Sequence, residues 1–147
     1  MSIKKINIAI IGFGEIGQKH FNSINKLDKL YNIKAILDVS FKKIFIDIAK
    51  KRGIKLYSNI KNLLNSEKID FATICLPSGK HCKFIKAFDN TNINIICEKP
   101  LVLKSSEIEK NKKFLNKNKK IKLFEVKQLR FSNLIDTFKK VYLQRKL

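Results

Sequence analysis

Gly12, Gly14 and Gly17 stand in the order Gly-x-Gly-x-x-Gly directly after the apolar run Ile6-Asn-Ile-Ala-Ile-Ile11, and a helix-compatible stretch, Glu15 to Leu27, follows them. The chemistry open to that order is the holding of a pyrophosphate. Gly12 permits a tight turn out of a strand, Gly14 lets the backbone approach phosphate oxygens, and Gly17 lets a helix pack closely on the sheet. The helix start then offers free N–H groups and the positive end of its dipole. Phe13, Glu15 and Ile16 occupy the variable positions of the same turn and are candidates for cofactor contact with the three glycines. Asp38 stands 21 positions after Gly17 at the end of a second apolar run, Ile33 to Val39. A carboxylate there accepts hydrogen bonds from an adenosine ribose. The competing reading is an Asp that merely ends a strand at a turn. An acid at this point repels a 2′-phosphate and so favours NAD over NADP, although Lys42 and Lys43 follow closely enough to soften the preference.

Strand and helix patterns alternate along the whole chain and supply the scaffold such residues need. Lys4–Ile11 reads as a buried strand, 15–27 as a helix and Ile33–Asp38 as the second strand. Phe41, Ile44, Phe45, Ile48 and Ala49 recur at helical spacing, with Gly53 placed to stop that helix. Lys55–Tyr57 reads as a short strand, and Ile60, Leu63 and Leu64 as the apolar face of a helix. Asp70–Leu76 is the next strand, followed by a Pro77-Ser-Gly loop and a helix from His81 to Asp89. Asn94–Cys97, Ser105–Leu115, Ile121–Val126 and Leu134–Leu143 read as strand, helix, strand and helix. About six strands alternating with helices predict an α/β doubly wound parallel sheet, the Rossmann arrangement. Ligands of such sheets sit outside the strands' carboxyl ends. Gly12–Gly17, Asp38, Leu76-Pro77-Ser78 and Glu98-Lys99-Pro100 all fall there.

Bulk composition narrows the classes. With 147 residues and 44% hydrophobic content the chain fits one domain with a sizeable core. It has no apolar run long enough to span a membrane. Its start, Met1-Ser-Ile-Lys-Lys, carries no apolar signal segment. Cys75, Cys82 and Cys97 match no metal spacing, and Cys75 and Cys97 fall in strands as small core residues. No metal site and a reducing cytoplasm are therefore expected. The net charge of +20 is spread over nearly every helix and turn, and Arg52, Arg130 and Arg145 are the only arginines. That favours a solvated lysine surface over a nucleic-acid reader, while still attracting anionic ligands.

Taken in order, these motifs resemble the N-terminal domain of the glucose–fructose oxidoreductase, inositol dehydrogenase and MocA family. The glycine turn is followed by Tyr57-Ser58, by Asp70-Phe-Ala-Thr-Ile-Cys-Leu-Pro-Ser-Gly-Lys-His81, and by Cys97-Glu-Lys-Pro-Leu101, whose Glu-Lys-Pro is that family's marker. The resemblance implies an NAD(P)-dependent oxidation of a secondary hydroxyl on a sugar or sugar nucleotide. It assigns Lys99 to a place beside the nicotinamide, binding substrate or assisting proton transfer, and gives Pro100 the shaping of that turn, sometimes through a cis bond. Glu98 is expected to line the nucleotide site. His81 is expected either to hydrogen-bond near the cofactor or to anchor a helix start, and His20 to lie at the surface or in packing. Leu123-Phe-Glu-Val-Lys-Gln-Leu-Arg-Phe131 resembles the members of surface-polysaccharide synthesis that oxidise the 3-hydroxyl of a UDP-linked N-acetylhexosamine or its uronic acid. Gln128 and Arg130 are the matching candidates for substrate contact, with a polar strand end as the alternative.

The resemblance also implies a second α/β domain of roughly 170–200 further residues. Residues 1–130 are expected to form the dinucleotide domain and 131–147 the helix that leads into that second domain. Two expectations stay open: an oxidoreductase half completed by a separately encoded C-terminal half, or a nucleotide-binding fragment without turnover. Phe131, Phe138, Val141 and Leu143 are expected to be exposed and to promote homo-oligomers.

Overall fold

The computed structural model describes residues 4–144. Expectations that touch residues 1–3 and 145–147, namely the lead-in to the first strand and the last turn of the chain, lie outside the described residues.

Six parallel strands form one sheet in the order β3-β2-β1-β4-β5-β6. They are β1 (Ile6–Ile11), β2 (Tyr31–Leu37), β3 (Lys55–Tyr57), β4 (Phe71–Ile74), β5 (Asn94–Cys97) and β6 (Leu123–Glu125). The helices between and after them are α1 (Glu15–Asn25), α2 (Lys43–Lys51), α3 (Ile60–Ser66), α4 (His81–Lys86), α5 (Ser105–Lys117) and α6 (Asn133–Gln144). The expected Rossmann arrangement is therefore present, and its chain order reverses between β1 and β4. Both neighbouring carboxyl ends open into one crevice there, which is where ligands of open parallel sheets lie.

Alternation of side chains divides the core between the two faces. Ala9, Ile11, Ala72, Ile74, Ile95 and Cys97 pack with Leu63 of α3, Ile85 of α4, Phe88 in the turn after α4, and Phe114 of α5. Ile10, Ile33 and Ile36 pack with Phe21 of α1 and Ala49 of α2. Ile33 and Ile36 reach the same face although three residues apart because the β1–β2 register shifts between Ile8 and Ala9, leaving Lys34 without an opposite residue.

Element ends have local causes. Asn59 accepts the Lys61 N–H at 2.8 Å and starts α3. The Glu107 carboxylate accepts the N–H groups of Leu103 and Lys104 at 2.8 and 3.1 Å and starts α5. Gly53, at φ +66°, closes α2 as expected. The helix expected over His81–Asp89 ends at Lys86 instead. Ala87, Phe88 and Asp89 each bond three residues back, and Asn90 at φ +60° turns the chain away. β4 is shorter than the expected Asp70–Leu76, in part because the Asp70 carboxylate accepts the Asn7 N–H at 2.8 Å outside the ladder.

Beyond β6 the chain is thinly packed. Phe131 is 85% exposed, Phe138 67% and Leu143 63%, with Leu134 also open to solvent. Apolar surface of this kind drives association, while a charge of +20 opposes it. Self-association should therefore rise with salt, from monomer at about 20 mM to dimers and larger species at about 500 mM, as screening shortens the reach of the lysines. Sedimentation velocity would show this, and Phe131→Ser with Leu134→Ser should return the monomer.

Candidate dinucleotide site

The turn after β1 is built from three glycines with three different constraints. Gly12 is buried at φ +93°, and a Cβ there would lie 2.9 Å from the Leu76 side chain and 3.0 Å from the Cys75 carbonyl group. Gly17 is tighter still, since its Cβ would come within 2.1 Å of the Gly12 carbonyl oxygen. Gly14 is the opposite case: a Cβ there meets no protein atom within 4 Å. Backbone contact explains the first and third glycines, and nothing within the protein explains the second. Gly14 is also the residue that precedes α1, with no side chain to cap it. The first helical bond runs from the Gln18 N–H to the Gly14 carbonyl at 3.0 Å. The N–H groups of Glu15, Ile16 and Gly17 precede that bond and point outward from the helix start. Open space over Gly14 and free donors at the same turn fit a pyrophosphate. The Glu15 carboxylate turns along the helix to Lys19 at 2.7 Å, a contact that holds it below the usual carboxylate range.

Asp38 follows β2 and reaches back to this turn. One carboxylate oxygen accepts the Phe13 N–H at 2.5 Å and the other accepts the Val39 N–H at 2.6 Å. Two backbone donors thus fix the carboxylate beside Gly14, with lone pairs left for hydroxyl donors. Phe13, Gly14 and Asp38 share the rim of an open cavity of about 500 Å³ with Gln18, Ser40 and Lys42. Its wall is aromatic: Phe13 lies 4.0 Å from Phe45 and 5.7 Å from Phe21, centroid to centroid, and Phe41 lies 6.2 Å from Phe45. Of this wall, only Phe13 stands among the candidate site residues. Phe41 and Phe45 read from spacing as one apolar helix face, and that spacing gave no sign that they meet the glycine turn.

The other side of the crevice is formed by the loops after β4 and β5. Leu76 and Ser78 are half-buried and Pro77 is exposed. His81 is fully buried, with Nε2 2.7 Å from the Leu76 carbonyl and Nδ1 3.0 Å from the Pro100 carbonyl. A carbonyl only accepts, so the neutral ring donates to one of them and the doubly protonated ring to both. His81 thus joins the loops after β4 and β5 from below. The Lys99–Pro100 peptide is cis, and both residues are exposed at the rim. Leu101 N–H donates to Glu125 at 3.0 Å, and that carboxylate, paired with Lys127, sits below its ordinary range.

Glu98 points inward. It is 7% exposed, and its carboxylate meets His20 Nε2 at 2.9 Å while accepting the Lys99 N–H at 3.2 Å. His20, expected at the surface or in packing, also meets the Thr73 hydroxyl at 2.8 Å through Nδ1. Gln128 and Arg130 lie in a short 3-10 turn just past β6, exposed at the same end of the sheet. Among the described residues no group of three or more His, Cys, Asp or Glu side chains could hold a metal ion, and no helix is long and apolar enough to cross a membrane.

Cys97 is buried in β5, whereas Cys75, expected in a strand, is half-buried just past β4. Burial pushes Cys75 up to about 11, with Glu98 adding to the rise against the Thr73 hydrogen bond. Burial also pushes Cys97 up to about 12, with Cys75, Glu98 and Glu125 contributing. Since the thiolate is the reactive form, a Cys75 thiol pushed up to about 11 reacts about a hundredfold more slowly at pH 8 through ionisation alone. Ellman's reagent should therefore leave both thiols unmodified in the folded chain at that pH and titrate all three cysteines after denaturation. A fast-reacting Cys75 would contradict the packing.

Known proteins place this geometry. The chain is 33% identical over 98 residues to the uncharacterized oxidoreductase YrbE of Bacillus subtilis, covering 67% of this chain and 28% of that protein. Scyllo-inositol dehydrogenase from Lactobacillus casei, solved with NAD(H) and scyllo-inositol bound, superposes with a TM-score of 0.84 at 26% identity, over 97% of this chain and 42% of that one. The WlbA dehydrogenase from Bordetella pertussis, solved with NADH and UDP-GlcNAcA, gives a TM-score of 0.84 at 21% identity, over 96% and 42%, and shares the fold. The chain thus spans less than half the length of each of these proteins. Residues 6–126, from the start of β1 to just past β6, match the GFO_IDH_MocA family, and the chain belongs to this oxidoreductase family with an NAD-binding Rossmann fold.

Proposed function

We propose that this chain is the dinucleotide-binding half of an NAD-dependent sugar or sugar-nucleotide dehydrogenase. The observation that carries the reading is the empty space over Gly14 beside the uncapped start of α1. The N–H groups of Glu15, Ile16 and Gly17 would hold the pyrophosphate, and the Asp38 carboxylate the adenosine ribose. That carboxylate disfavours a 2′-phosphate, hence NAD over NADP. Leu76, Pro77 and Ser78 would line the opposite wall. When bound, the nicotinamide supplies the hydride acceptor for a secondary alcohol. Lys99, exposed on the turn after β5, would favour the developing alkoxide and assist departure of the hydroxyl proton. Gln128 and Arg130 would face the substrate, and the likeness of 123–131 to sugar-nucleotide enzymes supports a nucleotide-linked sugar.

In this reading residues 1–130 are the nucleotide domain and 131–147 lead toward a second domain, which would orient the substrate and exclude water. Calorimetric titration of the purified chain with NADH and then NADPH tests the nucleotide site. NADH binding that is tighter than NADPH binding is expected; no binding of either by a folded chain would overturn the reading.

A further inference from the structure

We infer that His20 is a positioning residue that ties the phosphate-binding helix to the backbone of Lys99. With an ionised Glu98, the neutral ring of His20 has one consistent arrangement of its bonds. A carboxylate can only accept, so His20 Nε2 carries the proton and donates to Glu98 Oε1 across 2.9 Å. Nδ1 of that tautomer is an acceptor and takes the Thr73 hydroxyl proton across 2.8 Å. The second Glu98 oxygen accepts the Lys99 N–H at 3.2 Å. The four residues come from three elements: Thr73 from β4, His20 from α1, and Glu98 and Lys99 from the turn after β5.

Position gives this strut its role. His20 follows Gly17 by three residues, on the same side of α1, and Gly17 is seated against the Gly12 carbonyl with no room for a side chain. Whatever fixes the start of α1 therefore fixes His20. Glu98 is 7% exposed, and in the absence of His20 its carboxylate would retain a single backbone donor in a buried place. A buried carboxylate so poorly paired turns toward solvent, which here means toward the crevice, and releases the Lys99 N–H. The helix that meets the pyrophosphate and the turn that carries Lys99 would then move independently.

The binding arm of the test rests on the dinucleotide reading; the exchange arm does not. In the ligand-free chain, His20→Ala is expected to speed amide exchange at Lys99 about tenfold while leaving the Ile85 amide in the core unchanged. His20→Gln, whose Nε2–H still reaches Glu98, should restore the protection. Calorimetry then compares NADH with ADP-ribose, which lacks the nicotinamide. His20→Ala should weaken NADH about fivefold more than ADP-ribose, and that difference should vanish in a Lys99→Ala background. Unchanged exchange at Lys99 in folded His20→Ala, or equal losses for the two ligands, would overturn the coupling. If the wild-type chain binds neither ligand, the dinucleotide reading fails and the exchange result alone decides the strut. Should His20→Ala not fold, His20→Gln is set against His20→Asn, too short to reach Glu98, with protection of Lys99 expected only in the former.

Discussion

Gly14→Val is expected to abolish NADH binding while leaving the thermal midpoint within a few degrees of the parent, and Gly17→Val to lower the midpoint by about 10 °C or prevent folding. The difference lies in what each new side chain would meet. At Gly14 the backbone has φ −66°, a value any residue adopts, and no protein atom lies within 4 Å of the new Cβ. The folded chain barely registers the change; a stability effect within about 1 kcal/mol follows from the trade between cap preference and unfolded-state entropy. The added branches would stand where phosphate oxygens approach, so binding bears the whole cost. At Gly17 the obstacle is a backbone carbonyl 2.1 Å away, which cannot rotate aside as a side chain would. α1 must lift off the sheet, at about 3 kcal/mol or more. Circular-dichroism melts and NADH calorimetry on the two variants read the two costs separately. A Gly14→Val chain that binds NADH normally would remove the main support for the nucleotide site.

Asp38→Ala should weaken NADH binding ten- to a hundredfold, since hydrogen bonds to a charged acceptor are worth about 1.5–3 kcal/mol. NADPH should lose far less, or gain, because the repulsion of its 2′-phosphate disappears with the carboxylate. The structure adds a consequence that the ribose contact alone would not give. The Asp38 carboxylate also holds the Phe13 N–H, so its removal frees the residue between Gly12 and Gly14. Asp38→Asn separates the effects. It removes the charge, keeps one acceptor oxygen for a backbone donor, and should fall between the parent and Asp38→Ala for NADH while matching Asp38→Ala in its tolerance of NADPH. The ratio of the two affinities, measured at one ionic strength because both ligands are anions, is the quantity to follow. Equal affinities for NADH and NADPH in the parent chain would mean that Lys42, on the cavity rim, offsets the carboxylate.

What could be read along the chain was what depends on neighbours in sequence. The glycine spacing after an apolar run, the alternation of apolar periods, Asp38 closing β2 and the Cys97-to-Leu101 marker are local patterns, and each led to the right element of the right fold. Strand ends and the length of α4 were less legible, because they depend on bonds that compete with the pattern, such as Asp70 taking the Asn7 N–H or the tightened turn before Asn90. The arrangement of the site depends on partners far apart in the chain. Phe13 meets Phe45, His20 meets Thr73 and Glu98, and His81 meets Leu76 and Pro100 only because parallel strands bring distant loops to one edge. A lone His reads the same in sequence whether it faces water, a carboxylate or two carbonyls. The sequence by itself therefore determined the nucleotide-binding fold and the turn that would hold phosphate. Only the tertiary structure decided that Gly14 faces open space while Gly17 faces backbone, that Glu98 turns inward to His20, and that His81 lies beneath the crevice; side-chain direction is set by long-range packing.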